Sequence, residues 1–396
     1  MLGSPESGVP VMLTRAARRR RLWMPLLVAV VVAAIVLLVV FQSSGKDRVV
    51  GAGSTLAQPL VERTAVEYRN ANSTDSQARG AGQKHSWVVD DGGSDWVVDG
   101  NGFEYEPVGS TGGIMRLEAE PEVDFAVSDY PLSAPALDDK GLIQFPIAIG
   151  SVGVVHNLPL EDGQVLRLHA KTVADIYLGD ITTWDDPALS ELNPDLDLPD
   201  LPITPVHRTD GSGSTFVFSH YLARDSTQWA EGPGAGSALT WPTGEGAERS
   251  SGLLSAVNSK QGAIGYVEPT QARQAGLGIA EISNGAGTFV APTSSALAAA
   301  SAAHDWSSDP QFTEPISPSD DPGAYPMTTA IYALLRSEAG NDTRRVLGFL
   351  SFLMDDAEGT AANLGYLPLP ATAAEAVRAT WQSTFDLPSA RADAHR

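Results

Sequence analysis

Three times this sequence passes from a strand-like run through a cluster of glycine, serine and threonine directly into a helix-like run. Residues 49–52 lead through Gly53, Ser54 and Thr55 into a stretch over 56–70 that carries Leu56, Leu60, Val61 and Ala65 on one side. Residues 103–108 lead through Gly109, Ser110, Thr111, Gly112 and Gly113 into 114–120, and residues 203–207 lead through a turn from Asp210 to Thr215 into 216–223. Alternating strands and helices predict an α/β protein with parallel sheets, in which ligands sit beyond the strand C-termini at helix starts. The apolar run 142–155 reads as a pair of buried strands and 327–335 as another, placed to carry the chain between lobes. Segments 232–246 and 286–325, rich in Gly, Pro, Ser and Ala, read as loops. Of the 396 residues, those beyond 48 are too many for one small domain and suit two lobes.

The N-terminus has a different character. Residues 22–41 are almost wholly apolar and follow Arg15, Arg18, Arg19, Arg20 and Arg21. About twenty residues at 1.5 Å each make roughly 30 Å of helix, the thickness of a bilayer core. The arginines keep the N-terminus cytoplasmic and place the rest on the extracytoplasmic face of the cell membrane. A cleaved secretion signal is the rival reading, although the exit Gln42-Ser43-Ser44-Gly45 offers no clear small-x-small site. The expected organisation is a basic segment 1–21, a transmembrane helix 22–41, a linker 42–48, lobe 1 over 49–155, lobe 2 over 156–325, and a return to lobe 1 over 326–396. Within the first part of lobe 1, residues 71–102 form a hairpin-like insertion. There Trp87-Val-Val-Asp and Trp96-Val-Val-Asp repeat around Asp91-Gly92-Gly93-Ser94, without the oxygen spacing of a calcium loop, so no metal is expected.

Composition removes whole classes of function. There is no cysteine, which excludes disulfides, thiol catalysis, zinc–thiolate sites and a lipid on an N-terminal cysteine. The net charge is −22, and because the first 48 residues carry +5 the remainder carries −27. Such a surface repels nucleic acid, and an anion would have to be held by local dipoles and buried donors.

A helix start leaves backbone N–H groups unpaired and carries about half a positive charge, so a Gly/Ser/Thr turn that opens a helix suits an anion. Each such turn is equally readable as ordinary capping. Arg208, two residues before Asp210 and beside the Ser212-Gly213-Ser214 turn, offers a planar fork of donors that Asp210 can hold in place, or else a plain salt bridge. Asp129 would put an acceptor where an anion expects donors, which favours an oxyanion that keeps a proton, as phosphate does and sulfate does not. Its alternative reading is a cap or turn residue.

Together and in this order, the motifs resemble the phosphate-specific substrate-binding protein of bacterial ATP-binding-cassette importers. The resemblance rests on Gly51-Ala-Gly-Ser-Thr55, Gly109-Ser-Thr-Gly-Gly113, Asp124-Phe-Ala-Val-Ser-Asp129, Phe145-Pro-Ile-Ala-Ile-Gly150 and Asp175-Ile-Tyr-Leu-Gly-Asp-Ile-Thr-Thr-Trp-Asp-Asp186. It continues through Arg208-Thr-Asp-Gly-Ser-Gly-Ser214, Gly262-Ala-Ile-Gly-Tyr-Val-Glu268 and Val377-Arg-Ala-Thr-Trp381. It implies a two-lobed, type II periplasmic-binding-protein fold that closes over one inorganic phosphate, with the importer's permease subunits as partners, no cofactor and no enzymatic activity. Carried over, Thr55 and Ser110 give hydroxyl and amide bonds, and Leu56 its N–H. Asp129 accepts the phosphate proton, Arg208 pairs with its charge, Asp210 orients Arg208, and Ser212, Gly213 and Ser214 donate from a helix start. This chain has Leu56 where the family often has phenylalanine, Ser214 where threonine is common, a longer 71–102 connection, and a membrane helix. A phosphate sensor without a transport role is an alternative reading. A hydrolase with Ser212 or Ser214 as nucleophile would need a Gly-x-Ser-x-Gly elbow and a partner for His207, and the sequence offers neither.

Overall fold

The computed structural model describes residues 49–72, 97–98, 103–161, 163–316, 321–338, 340, 343–355 and 358–385. The basic segment 1–21, the membrane helix 22–41, the linker 42–48 and the Trp87/Trp96 repeat lie outside the described residues. Among the described residues no helix is long and apolar enough to cross a membrane.

The chain opens with β1 (Val49–Gly53), a buried strand ending on glycine, followed by α1 (Gln58–Asn72). β2 (Val97–Val98), β3 (Phe103–Glu106), α2 (Ser110–Ala119), β4 (Phe125–Ser128), α3 (Ala134–Lys140) and β5 (Leu142–Ser151) follow. Next come β6 (Gly153–His156), β7 (Arg167–Leu168), α4 (Ala170–Leu178), α5 (Pro187–Leu192), β8 (Thr204–Arg208), α6 (Gly213–Asp225) and α7 (Thr227–Glu231). β9 (Glu245–Ala247), α8 (Arg249–Ser259), β10 (Ala263–Val267), α9 (Pro269–Gln274), β11 (Gly278–Ile279), β12 (Glu281–Ser283), β13 (Phe289–Val290) and α10 (Ser294–Ala302) continue the chain. It ends with β14 (Thr328–Arg336), α11 (Thr343–Asp355), α12 (Glu358–Asn363) and α13 (Ala371–Phe385).

Two main sheets result, in the orders β2-β3-β1-β4-β14-β5 and β11-β6-β10-β8-β9. They are mixed rather than parallel. β1 runs parallel to β3 and β4, and β8 parallel to β9 and β10, as the strand–turn–helix units require. β14, however, is antiparallel to both β4 and β5, because it carries the chain back into the first sheet in the direction opposite to its departure along β5. β5 and β14 are buried along nearly their whole length, and Pro146, which has no N–H for a ladder, lies at a register shift between them. The crossing points are tied together, with Val152 N–H donating to the Met327 carbonyl at 3.0 Å and Tyr325 OH to the Val152 carbonyl at 2.9 Å. β6 pairs with β10, so the chain enters the second sheet at residue 153, earlier than the expected 156.

Local readings are corrected at three places. α2 and α6 begin inside their turns, at Ser110 and Gly213, rather than at 114 and 216. The segment 286–325 contains α10, whose alanine run has the highest intrinsic helix propensity and whose N-terminus is capped by Thr293 Oγ1, accepting from Ala296 N–H at 3.3 Å. Apart from these, β2 at the described end of the 71–102 segment pairs antiparallel with β3, Val97 with Glu104 and Val98 with Phe103. Aromatic side chains cluster in the core, Tyr68, Phe103 and Phe349 in one group and Tyr177, Phe218, Trp241 and Tyr266 in another.

Candidate oxyanion-binding site

β1 and β4 are parallel neighbours, so their C-terminal ends present the turn after Gly53 and the residue after Ser128 side by side. Gly53 has φ +140°, and a β-carbon there would stand 2.1 Å from the Val127 carbonyl oxygen, so only glycine lets β1 turn so close to β4. Beyond it, Ser54 N–H donates to the Val127 carbonyl at 2.8 Å. The next three carbonyls are all taken by side-chain donors. Tyr105 OH donates to Ser54 O at 2.9 Å, Gln271 Nε2 to Thr55 O at 3.3 Å, and Tyr366 OH to Leu56 O at 2.6 Å. With its acceptors occupied, the turn has donors left to offer.

Asp129 lies beside this turn with 1% of its surface exposed. The Ser54 hydroxyl donates to its Oδ1, Asp129 N–H donates to Ser110 Oγ at 3.2 Å, and Thr329 Oγ1 donates to its carbonyl at 2.7 Å. Burial pushes its pKa up to about 6, against the opposing pull of the Ser54 hydroxyl, the Arg208 charge and the Ser110 hydroxyl. Ser110 itself is fully buried at the first position of α2.

From the second sheet, β8 ends on Arg208, whose residue surface is 3% exposed. Its Nε donates to Asp210 Oδ1 at 2.7 Å, its Nη2 to Asp210 Oδ2, and its Nη1 to Ser250 Oγ at 3.3 Å. Burial works to raise the Asp210 pKa, but the Arg208 fork and the Arg249 amide, 2.9 Å from Oδ1, outweigh it and hold the carboxylate below its ordinary range. A charged, oriented guanidinium with its own counter-ion is thereby buried without an excess charge.

α6 opens next to it. Ser212 Oγ caps the helix by accepting from Thr215 N–H at 3.3 Å, and Ser212 N–H is spent on the Ser237 carbonyl at 2.9 Å. Gly213 and Ser214 head the helix, where no preceding turn can accept from their amides. Ser214 Oγ is fully buried and has no hydrogen-bond partner among the described residues. A β-carbon on Gly213 would stand 2.6 Å from Ser110 Oγ and 2.7 Å from Asp129 Oδ2, which places the start of α6 directly against the first sheet's polar residues.

The two sides are joined around this point. Thr55 Oγ1 lies 2.7 Å from Ser250 Oγ, Thr111 N–H donates to the Gly211 carbonyl at 3.2 Å, and Thr111 Oγ1 donates to Ser237 Oγ at 3.0 Å. Tyr130 and Phe216 stack with ring centroids 4.8 Å apart. Among the sequence candidates, Thr55, Ser110, Asp129, Arg208, Asp210, Ser212, Gly213 and Ser214 meet at this junction through these contacts. Leu56 is placed on the same turn by its carbonyl. Ser54 and Thr111 lie in the turns read from the sequence, beside Thr55 and Ser110, whereas Ser237, Ser250, Tyr105 and Tyr366 carry no local signal of a site. His207 faces elsewhere, its ring stacked on Trp241 at 4.7 Å and its Nδ1 3.3 Å from the Arg208 carbonyl.

Residues 42–357 match the model of the PBP superfamily domain. Phosphate-binding protein PstS of Xylella fastidiosa (strain 9a5c) is 34% identical over 340 residues, spanning 85% of this chain and 86% of its own length. The chain belongs to the PstS family of the PBP superfamily. PstS of Pasteurella multocida (strain Pm70) is 36% identical over 286 residues, covering 72% of this chain and 83% of its own. In fold, this PstS-family chain matches the crystal structure of a phosphate-binding protein from Stenotrophomonas maltophilia with a TM-score of 0.57 at 19% identity, over 84% of this chain and 93% of that one.

Chemically, the junction gathers hydroxyls, helix-start amides and a neutralised guanidinium around one carboxylate acceptor. Among the described residues, no group of three or more His, Asp or Glu side chains is arranged to hold a metal ion.

Proposed function

We propose that this chain is an extracytoplasmic receptor that binds inorganic phosphate in the cleft between two lobes and delivers it to the permease of an ATP-driven importer. The observation that carries this reading is Asp129, an acceptor buried among donors, with its Oδ2 towards the start of α6. Fully ionised sulfate has no proton for it, whereas HPO₄²⁻ and H₂PO₄⁻ do. A site that loses a buried hydrogen bond to one analogue discriminates by roughly 10⁴–10⁵. Thr55 and Ser110 contribute hydroxyls, and Leu56, Gly213 and Ser214 contribute amides. Ser214 Oγ, buried and without a partner among the described residues, supplies a further donor, and Ser212 donates through its hydroxyl hydrogen. Arg208, oriented by Asp210, meets the anion's charge. Arsenate, which shares phosphate's charge and protonation, binds the same way.

The lobes are residues 49–152 with 327–385, and residues 153–326. Residues 22–41 hold the chain in the cell membrane with residues 1–21 inside, a reading supported by their length, their apolarity and the five arginines before them. Tethering raises the receptor's concentration at the permease. The chain is a binding protein and not an enzyme: His207 stacks on Trp241 rather than pairing with Ser212 or Ser214.

Deleting the gene tests the transport role. Loss of phosphate uptake at low external phosphate, restored by the intact gene, is the expected result; unchanged uptake with altered gene regulation would make the chain a sensor instead. Mass spectrometry of the mature N-terminus tests the anchor, which requires residues 22–41 to be retained.

A further inference from the structure

The hydroxyl of Ser250 occupies a place in the cleft that binding of the anion alone does not explain. Ser250 is 4% exposed, in the first turn of α8, and it stands between two residues on opposite sides of the cleft: Arg208 Nη1 at 3.3 Å and Thr55 Oγ1 at 2.7 Å. Its position is set from beneath. Asp210, which orients Arg208, also accepts from Arg249 N–H at 2.9 Å, and Arg249 has φ +62°, a left-handed backbone that L-residues rarely adopt. Glu248, before α8, makes no side-chain cap, so this bond from Asp210 is what anchors the helix start. One carboxylate thus fixes both Arg208 and Ser250.

The direction of the bond from Arg208 follows from the chemistry of the groups. Arginine donates and never accepts. Ser250 Oγ therefore accepts from Arg208; in its bond with Thr55 Oγ1 either hydroxyl can donate, and an anion beyond Thr55 favours Ser250 as the donor. The Thr55 hydrogen is then free to point at an anion. In the reverse order Thr55 would donate to Ser250 and turn a lone pair towards negative charge.

We infer that Ser250 is a positioning residue for phosphate binding, a latch that forms only when the lobes close and that turns the Thr55 hydroxyl to donate to the anion. This rests on the phosphate reading above. In a chain of hydrogen bonds headed by a cation each donor strengthens the next, so Thr55 donates more strongly with the latch than without it. Because the chain joins the two sides, its loss speeds opening and shows in the dissociation rate.

Phosphate dissociation rates and affinities of the full-length protein and its Ser250→Ala, Ser250→Thr, Thr55→Val and Ser250→Ala/Thr55→Val variants test this. Ser250→Ala is expected to weaken phosphate binding about 10- to 100-fold, mainly through faster dissociation. Ser250→Thr, which keeps the hydroxyl, should restore most of the loss, and the phosphate-to-sulfate ratio should stay unchanged in both. Thr55→Val should cost less in the Ser250→Ala background than it does alone, since the two hydroxyls are coupled. Losses that multiply in the double variant, an unchanged dissociation rate in Ser250→Ala, or no rescue by threonine would each overturn the latch while leaving the phosphate site intact. An unmutated protein that binds no phosphate would overturn the phosphate reading and the latch with it.

Discussion

In the proposed reading Asp129 is the residue on which ligand choice turns, and its protonation gives that choice a pH dependence. With its pKa raised by burial to about 6, the carboxylate is ionised above pH 6 and accepts a proton-bearing oxyanion; below that pH it is itself protonated and becomes a donor. A donor suits sulfate. Sulfate binding, measured by calorimetry, should therefore be negligible at pH 8 and appear near pH 5, while the phosphate-to-sulfate ratio narrows. A constant ratio across this range would remove Asp129 from the selectivity account. In the same reading Arg208 answers for affinity rather than choice. Arg208→Ala should weaken phosphate binding by about 2–5 kcal/mol, because it takes a desolvated charge from the anion and leaves Asp210 buried without its counter-ion. The residues legible from sequence were those in short turns at strand ends, where two or three neighbours carry the chemistry together, as with Arg208, Asp210 and Ser212. Ser250 was not legible, since Thr55 and Ser250 are 195 residues apart and only the folded chain brings their hydroxyls together.

At the scale of elements, the start of α6 is held where only glycine fits. Gly213→Ala would drive a β-carbon against Ser110 Oγ and Asp129, so the expected outcome is a fall in phosphate affinity of at least about tenfold, with secondary structure by circular dichroism unchanged. Normal affinity in that variant would mean that α6 does not close against the first sheet. α1 offers a different test. Glu62 is buried on this helix with Oε1 lacking a partner among the described residues, and burial raises its pKa from 4.5 to about 7, opposed by a bond from Gln58. The folded state then binds a proton that the unfolded state has lost between these values, so the stability this group contributes falls as pH rises from about 4.5 to 7 and stays low above. Glu62→Gln should accordingly stabilise the protein by roughly 1–3 kcal/mol at pH 8 and by much less at pH 4.5, read from denaturant midpoints. The elements themselves were legible where a continuous apolar run marked them, as in β5, β6 and β14. α10 was not, because its alanines were grouped with the Ser, Pro and Gly around them although alanine alone favours a helix. The parallel sheets expected from strand–helix alternation became mixed ones because β14 returns against β5 in the first and β6 runs against β10 in the second, long-range pairings that no local pattern records.

For the molecule as a whole, an acidic body binds an anion. Beyond residue 48 the chain carries −27, so a phosphate dianion approaches against repulsion and is held only once it reaches the buried donors. Added salt screens that repulsion, and the association rate should rise between about 0.01 and 0.15 M ionic strength, the range over which screening shortens from ~30 to ~8 Å. A falling rate would point to a local positive field that dominates the approach. The central claim is that a buried acceptor, Asp129, selects phosphate. It is tested most directly by calorimetry of the full-length protein and its Asp129→Asn variant at pH 8 with phosphate and with sulfate. Tight phosphate and no measurable sulfate binding by the unmutated chain, with the preference largely lost in the variant, is the expected result; tight sulfate binding by the unmutated chain, or full selectivity in the variant, would rule Asp129 out as the selecting group.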